Sequence, residues 1–70
     1  MYLEVITPDL KVFEGEVTGV KLPGAMGYFE ILQNHAPIVS LLTPGNVRIK
    51  SANGSQLISI SGGLVEMRNN

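Results

Sequence analysis

The strongest fold signal in the chain is the segment Asn46-Val47-Arg48-Ile49-Lys50-Ser51-Ala52-Asn53-Gly54. Its first five residues alternate between polar and apolar side chains. This is the period-two pattern of a strand that has one face on a core, so Val47 and Ile49 are predicted to point inward. Asn53-Gly54 is a strong hairpin signal, because a type I′ turn needs two residues that tolerate positive φ. The segment therefore predicts one arm and the turn of a β-hairpin.

The remaining apolar residues predict further short strands. Residues 56–61 form the return strand, in which Ile60 and either Leu57 or Ile58 face the partner strand. Eight Gly and four Pro divide the chain into runs shorter than an average helix of about 11 residues. Other strands are predicted at 2–7, with Leu3 and Val5 on one face, and at 10–17, 18–22 and 64–68. This pattern indicates an all-β fold, a small two-layer β-sandwich of about eight to ten short strands that forms one domain over residues 1–70.

The composition indicates a small body that relies on a partner. The chain has 70 residues, 44% of them hydrophobic, and no Cys. Domains of this size often gain stability from a disulfide, a metal or a partner subunit. The lack of Cys excludes a disulfide, and a single His does not supply a usual structural zinc site. Charged residues make up 16% against a typical value of about 25%, so the surface is unusually neutral and part of it is expected to be covered.

Several classes of function are disfavoured. A formal net charge of −1 gives no field to hold a phosphate backbone, so no nucleic-acid partner is predicted. The longest nearly apolar stretch, residues 36–42, is far shorter than the roughly 20 residues that a bilayer span needs. Glu4 and Asp9 stand where a signal peptide has a basic flank and an apolar run.

The single His is the main candidate for catalysis, and it does not support an active site. No nucleophile lies in a recognisable arrangement with His35, and the carboxylates are scattered. No catalytic residue, cofactor or metal ligand is therefore predicted. The His35 ring is expected to hold a turn with one nitrogen and to face solvent or a partner with the other.

The most irregular segment is Lys21-Leu22-Pro23-Gly24-Ala25-Met26-Gly27-Tyr28-Phe29-Glu30. Its Pro and two Gly predict a loop whose backbone adopts conformations closed to other residues. Met26, Tyr28 and Phe29 either fold back onto the core or form a protein-contact loop, since Met and aromatic side chains are favoured at interfaces. A phosphate-binding loop is not predicted, because no Lys-Ser/Thr pair and no helix follow the glycines.

The last predicted strand, residues 64–68, is followed by the turn-prone pair Asn69-Asn70. A hairpin partner is the expected continuation, and without it residues 64–68 are expected to lie at a sheet edge. The sequence is therefore interpreted as a sandwich that lacks its final strand.

Four motifs, in this order along the chain, resemble those of one known family. They are Leu3-Glu4-Val5-Ile6-Thr7-Pro8 leading to Val12-Phe13-Glu14-Gly15; Gly24-Ala25-Met26-Gly27-Tyr28-Phe29-Glu30-Ile31-Leu32-Gln33-Asn34-His35-Ala36-Pro37; Leu42-Thr43-Pro44-Gly45 before Val47-Arg48-Ile49; and Ile60-Ser61-Gly62-Gly63-Leu64-Val65-Glu66. Each motif is weak alone, but the ordered set is specific and covers essentially the whole chain. The chain resembles the N-terminal β-sandwich domain of the epsilon subunit of bacterial rotary ATP synthases, called delta in mitochondria.

The resemblance implies a non-catalytic central-stalk subunit of a proton-translocating ATP synthase. In the family this domain clamps the foot of the gamma subunit and rests on polar loops of the c-ring, and so helps to couple ring rotation to ATP synthesis. A peripheral position on the cytoplasmic side of the bacterial cell membrane, without insertion into the bilayer, is implied as well. The partner-binding residues implied for gamma and the c-ring are Gly24, Met26, Gly27, Tyr28, Phe29, Glu30, His35, Pro37, Ile38 and Ser40.

Within that set, Tyr28 and Glu30 are expected to face the c-ring loops, and His35, Ile38 and Ser40 are expected to lie toward gamma. Two features depart from the family pattern. Glu30 stands where the family commonly has Gly, so either the turn differs or a new carboxylate faces the partner. The family's C-terminal helical hairpin, which can inhibit ATP hydrolysis and in some members binds ATP, has no matching segment, so neither property carries over.

Two alternatives remain open from the sequence. Lipoyl and biotinyl carrier domains are also all-β and of this length, but they present a modifiable Lys at a hairpin tip, whereas Lys50 lies on the outward face of its strand. A generic β-sandwich interaction module with unrelated partners is the other. Self-association of the isolated domain, through a surface that gamma normally covers, is also left open.

Overall fold

The computed structural model describes residues 1–69. These residues form eight β-strands and no helix. The strands are β1 (Tyr2–Ile6), β2 (Lys11–Glu16), β3 (Gly19–Gly24), β4 (Gly27–Leu32), β5 (Ile38–Leu42), β6 (Gly45–Ser51), β7 (Gly54–Ile60) and β8 (Gly63–Arg68). They make two antiparallel four-stranded sheets, the first with the order β2-β1-β8-β5 and the second with the order β4-β3-β6-β7. The predicted all-β, two-layer architecture is confirmed.

The core lies between the two sheets and follows the alternation along each strand. Leu3 and Val5 of β1 are fully buried, and Val47 and Ile49 of β6 are at most 2% exposed, as predicted. On the return strand β7 the inward residue is Ile58, which packs against the core, whereas Leu57 is 59% exposed. Each buried aliphatic side chain contributes about 1.5–3 kcal/mol to folding, so the core is the main source of stability in this small body.

The hairpin between β6 and β7 is confirmed, but its turn differs from the prediction by one residue. Ser51 pairs with Gly54, so the turn consists of Ala52 and Asn53. Gly54 follows at a φ of 121°, while Asn53 is not among the described residues with positive φ. A hairpin of this kind needs positive φ only at the residue after the turn, which is where the glycine stands.

The segment predicted as an irregular loop, residues 21–30, is mostly regular. It forms the β3–β4 hairpin, in which Gly24 pairs with Gly27 and only Ala25 and Met26 form the turn. Gly27 has a φ of 115° and so plays the part that Gly54 plays in the other hairpin. The prediction of a long loop is wrong because Gly and Pro mark the end of a strand as readily as a loop.

The expected position of residues 64–68 at a sheet edge is also wrong. Strand β8 lies inside its sheet, with β1 on one side and β5 on the other. Both of its hydrogen-bonding edges are therefore occupied, and no place beside β8 remains for a hairpin partner. The predicted lack of a final strand stays a prediction, and of the pair Asn69-Asn70 the second residue lies outside the described part of the chain.

Candidate functional site

The most exposed apolar side chains at one end of the sandwich come from the β3–β4 hairpin. Met26 in its turn is fully exposed, and Tyr28 at the start of β4 is 52% exposed. Phe29 points to the other face of β4, where it packs against the core. The alternation along β4 thus places Tyr28 on the outer face and Phe29 toward the core. The sequence had left open whether each of these side chains packs on the core or is exposed in a contact loop.

Strand β5 supplies the second group of exposed apolar side chains. Val39 and Leu41 are 64% and 77% exposed, while Leu42 is buried. Ile38 and Ser40 lie on the inward face and are half-buried, with Ile38 packed against the core. An edge strand that turns Val and Leu toward solvent is unusual for a lone body and is typical of a surface that meets another protein.

Residues from both of these elements line one groove of about 550 Å³. We call it the tip groove, and its lining residues are Gly24, Ala25, Met26, Gly27, Tyr28, Phe29, Val39, Ser40 and Leu41. One wall comes from the hairpin turn of the second sheet, and the other comes from the edge strand of the first. None of the lining residues is charged. An uncharged apolar centre with polar backbone at its rim is the composition of a protein–protein contact.

Thr43 holds the two walls of the tip groove together. Its backbone N–H donates to the carbonyl of Pro23 over 3.0 Å, and its hydroxyl donates to the carbonyl of Gly24 over 3.4 Å. Thr43 directly follows β5, whereas Pro23 and Gly24 end β3. The hydrogen bonds therefore fix the hairpin against the edge strand, and the groove belongs to the rigid body of the sandwich.

Tyr28 is held in place by backbone from a neighbouring strand. The N–H of Asn46 donates to the Tyr28 hydroxyl over 2.9 Å. This approach depends on Gly45, because a Cβ at that position would lie 2.6 Å from the same hydroxyl and 2.9 Å from Pro23 Cβ. The ammonium of Lys21 lies 5.9 Å from the centre of the Tyr28 ring, at the limit of a cation–π contact. The ring is thus fixed on one side, and the other lines the groove.

The structure brings together part of the predicted partner-binding set. The members that line the tip groove are Gly24, Met26, Gly27, Tyr28, Phe29 and Ser40. Pro37 and Ile38 line a separate depression at the start of β5, together with residues of β8. Sequence reasoning missed Ala25, Val39 and Leu41. Placing Leu42, the final residue of β5, on the inward face and alternating back along the strand would have predicted Val39 and Leu41 as exposed.

Glu30 and His35 lie away from the groove. The Glu30 carboxylate is 3.9 Å from the Lys50 ammonium on the outer face of the second sheet. His35 lies in the connection between β4 and β5, where its backbone N–H donates to the Leu32 carbonyl over 3.2 Å. Its Nδ1 lies 2.7 Å from the carbonyl of Ala36, to which it donates when protonated at that atom. One ring nitrogen thus bonds within the connection, as expected.

The outer face of the first sheet carries an ion-pair cluster. The Lys11 ammonium is 2.9 Å from Glu4 and 3.0 Å from Glu14, and the Tyr2 hydroxyl donates to Glu14. The Tyr2 hydrogen bond, followed by Lys11, lowers the pKa of Glu14, and the two carboxylates raise the pKa of Lys11. Lys11 and Glu14 are partly exposed, whereas the Glu4 side chain is only 12% exposed.

Residues 1–69 hold no group of three or more His, Cys, Asp or Glu side chains that could bind a metal ion. The same residues include no helix that is long and apolar enough to cross a membrane.

Comparison with known proteins assigns the family. A family model described as "ATP synthase, Delta/Epsilon chain, beta-sandwich domain" matches residues 1–70. The chain belongs to this family. Among curated relatives, the ATP synthase epsilon chain of Maridesulfovibrio salexigens is 44% identical over 70 residues, which are all of this chain and 49% of that protein. The ATP synthase epsilon chain of Halalkalibacterium halodurans is 43% identical over 68 residues, 97% of this chain and 51% of that protein.

The resemblance drawn from the four sequence motifs is therefore confirmed, and the match to the Delta/Epsilon β-sandwich family covers the whole chain. The chain spans about half the length of the curated relatives it matches. The carrier-domain alternative is not favoured, and the turn of the β6–β7 hairpin, Ala52 and Asn53, contains no Lys.

Proposed function

We propose that this β-sandwich is the docking domain of a non-catalytic central-stalk subunit in a proton-translocating ATP synthase. It contacts the gamma subunit and the polar loops of the c-ring and couples ring rotation to ATP synthesis. The observation that carries the proposal is the tip groove, whose lining includes the exposed apolar side chains of Met26, Tyr28, Val39 and Leu41. Membership of the Delta/Epsilon family supports an ATP synthase as the assembly in which the domain works.

The physical properties of the body suit this role. A subunit that transmits torque has to be stiff, and a close-packed sandwich with an apolar core deforms little under load. It also needs a contact with apolar anchors surrounded by polar groups. The groove combines both requirements, because the Thr43 hydrogen bonds join its two walls to the core.

The two walls of the groove suit two partners. We assign Met26 and Tyr28 on the hairpin to the c-ring loops, and the outward face of β5 to gamma. Within β5 the contact residues are Val39 and Leu41, since Ile38 and Ser40 point toward the core. Glu30 lies on the outer face of the second sheet, so it meets the ring only at the rim of the contact with Tyr28. In this arrangement the domain sits peripherally on the cytoplasmic side of the membrane.

The test is assembly with the partners after the groove has lost its apolar side chains. Met26→Ser with Tyr28→Ser removes the hairpin wall, and Val39→Ser with Leu41→Ser removes the edge-strand wall. Each pair is expected to weaken binding at least about tenfold, as loss of buried anchors does at other interfaces. The hairpin pair should affect ring binding most, and the edge-strand pair should affect gamma binding most.

Leu10→Ser is the matched control, because Leu10 is 58% exposed in the β1–β2 turn, outside the groove. It is expected to leave both affinities unchanged. Urea unfolding of each variant checks that the fold is intact, since the replaced side chains are mostly in solvent. Unchanged affinity for gamma and the ring in both double variants would show that the groove is not the docking site.

A further inference from the structure

The basic residues of the chain are paired unevenly. The chain has five Lys and Arg residues. Lys11 pairs with Glu4 and Glu14, and Arg68 pairs with Glu4 and Glu66, all within 3.6 Å. Lys50 makes only the long pair of 3.9 Å with Glu30. In the described residues, Lys21 and Arg48 have no carboxylate within 4.0 Å.

The two unpaired cations are direct neighbours. Lys21 of β3 and Arg48 of β6 occupy opposite positions in the antiparallel register, and both are exposed on the outer face of the second sheet. Like charges placed directly opposite each other on adjacent strands destabilise a sheet by roughly 0.2–1 kcal/mol. The contact between Lys21 and Arg48 is therefore unfavourable in itself, while on its other side Lys21 lies opposite Glu30 of β4.

These cations line a cleft whose other walls are able to take a ligand. The cleft has a volume of about 580 Å³ and is lined by Lys21, Tyr28, Glu30, Asn46, Arg48, Lys50 and Leu57. Lys50 extends over Gly19, since a Cβ at that glycine would lie 4.0 Å from the Lys50 stem. The Tyr28 hydroxyl accepts the Asn46 N–H, which leaves its own hydrogen free to donate. Three cations and one hydroxyl thus border one concave space, with Glu30 as the only acid in its lining.

We propose that this basic cleft binds a soluble phosphate-bearing anion, with Lys21 and Arg48 as its main ligands. Arg presents a planar set of N–H donors that matches phosphate oxygens, and Lys adds a compact charge beside it. An anion between the two side chains removes their mutual repulsion, so binding and folding stability are linked. A membrane surface is a poorer occupant, because in the cleft only Leu57 and Tyr28 offer apolar area. The cleft shares Tyr28 with the tip groove, but its main ligands, Lys21 and Arg48, do not line that groove.

Tripolyphosphate is the probe, and the experiment follows backbone amide shifts of the 70-residue chain by NMR at low ionic strength. Saturable shifts are expected in β3, β4 and β6. Lys21→Gln and Arg48→Gln are each expected to weaken binding about tenfold or more, as loss of a charge-assisted hydrogen bond does. Arg48→Gln should not lower the unfolding midpoint, because it relieves the like-charge contact with Lys21.

Lys11→Gln and Arg68→Gln are the matched controls, because they change the net charge equally on the opposite face of the sandwich. They are expected to keep affinity within about twofold of the parent, as solvated surface charges do. Equal weakening in the controls would show attraction by net charge alone and would overturn the site. Binding to phosphatidylglycerol vesicles without binding to tripolyphosphate would show that the ligand is not a soluble anion. A lack of saturable shifts with tripolyphosphate would overturn the site itself.

Discussion

Gly45 is the residue on which the position of Tyr28 depends. A Cβ added at Gly45 would lie 2.6 Å from the Tyr28 hydroxyl and 2.9 Å from Pro23 Cβ. Pro23 is not free to move, since it is buried and its carbonyl accepts the Thr43 N–H. One missing side chain thus leaves room for the hydrogen bond between the Asn46 N–H and Tyr28.

Gly45→Ala is therefore expected to destabilise the fold by about 1–3 kcal/mol, the usual cost of an overpacked site. Urea unfolding measures this change. Tyr28→Phe in the same chain should recover part of the loss, because it removes the atom closest to the new methyl group. Gly19→Ala is the control, since a Cβ there meets its neighbours at 3.6 Å or more. An equal loss of stability in both glycine variants would mean that any Gly→Ala change in a strand has this cost, and that the contacts at Gly45 are not its cause.

At the scale of elements, the β1–β2 hairpin has a pH dependence of its own. The hydrogen bond from Tyr2, followed by Lys11, lowers the pKa of Glu14 from its ordinary value of 4.5. A lowered pKa in the folded state means that ionised Glu14 stabilises the fold above its ordinary pKa. That contribution is lost as the pH falls through the lower, folded-state pKa. Glu14→Gln should then narrow the difference in urea midpoint between neutral pH and a pH below 4.5.

Asp9→Asn removes the same charge from the turn between β1 and β2 and serves as the control for net charge. It should keep the parent's loss of stability on acidification. The alkaline side has the opposite sign, because the Glu4 and Glu14 hydrogen bonds raise the pKa of Lys11 above 10.5. Its contribution is complete below that value and disappears as the pH rises through the folded-state pKa. An identical acid response in Glu14→Gln and the parent would contradict the assigned role of the carboxylate.

The fold of most elements could be predicted from the sequence because alternation is a local signal. In β6 each apolar residue lies between polar neighbours, so the inward face was assigned correctly. In β1 the alternation correctly put Leu3 and Val5 on the same face. The sequence of β5 does not show which residues face the core, since Ile38, Val39, Leu41 and Leu42 are all apolar. Ile38 and Ser40 were named as contact residues from the family resemblance, and that role stays a prediction. In the structure they are half-buried, whereas Val39 and Leu41 are exposed.

The position of β8 could not be predicted for a different reason. Its neighbours, β1 and β5, are far away in the chain, and the local pattern of residues 64–68 contains no information on which strands pair with it. Only part of the tip groove could be predicted from the sequence, for the same reason. Its hairpin wall is one continuous segment, but its second wall comes from a different sheet.

At the scale of the whole molecule, the stability of the chain rests on a small core. Folded domains gain roughly 0.05–0.15 kcal/mol per residue, which is about 4–10 kcal/mol for a chain of this length. Leu3 is fully buried, and removing such a side chain costs about 2–5 kcal/mol. Leu3→Ala is therefore expected to unfold a large fraction of the population near physiological temperature.

The measurement is a thermal melt followed by circular dichroism, and Leu57→Ala is the control. The two residues have the same side chain, but Leu57 is 59% exposed, so its replacement should leave the melting temperature within a few degrees of the parent. A single transition is expected, because both sheets share one core. Two separate transitions, or equal effects of the two variants, would mean that the sheets are stabilised independently.

The turn of the β3–β4 hairpin has a consequence for how related proteins diverge. Strand pairing ends at Gly24 and Gly27, and a side chain at Gly27 would meet no atom within 4 Å. Residues added between Gly24 and Gly27 would extend one wall of the tip groove without disturbing any buried side chain. This turn is therefore a place where the reach of the domain can lengthen or shorten while the packing of its core stays the same.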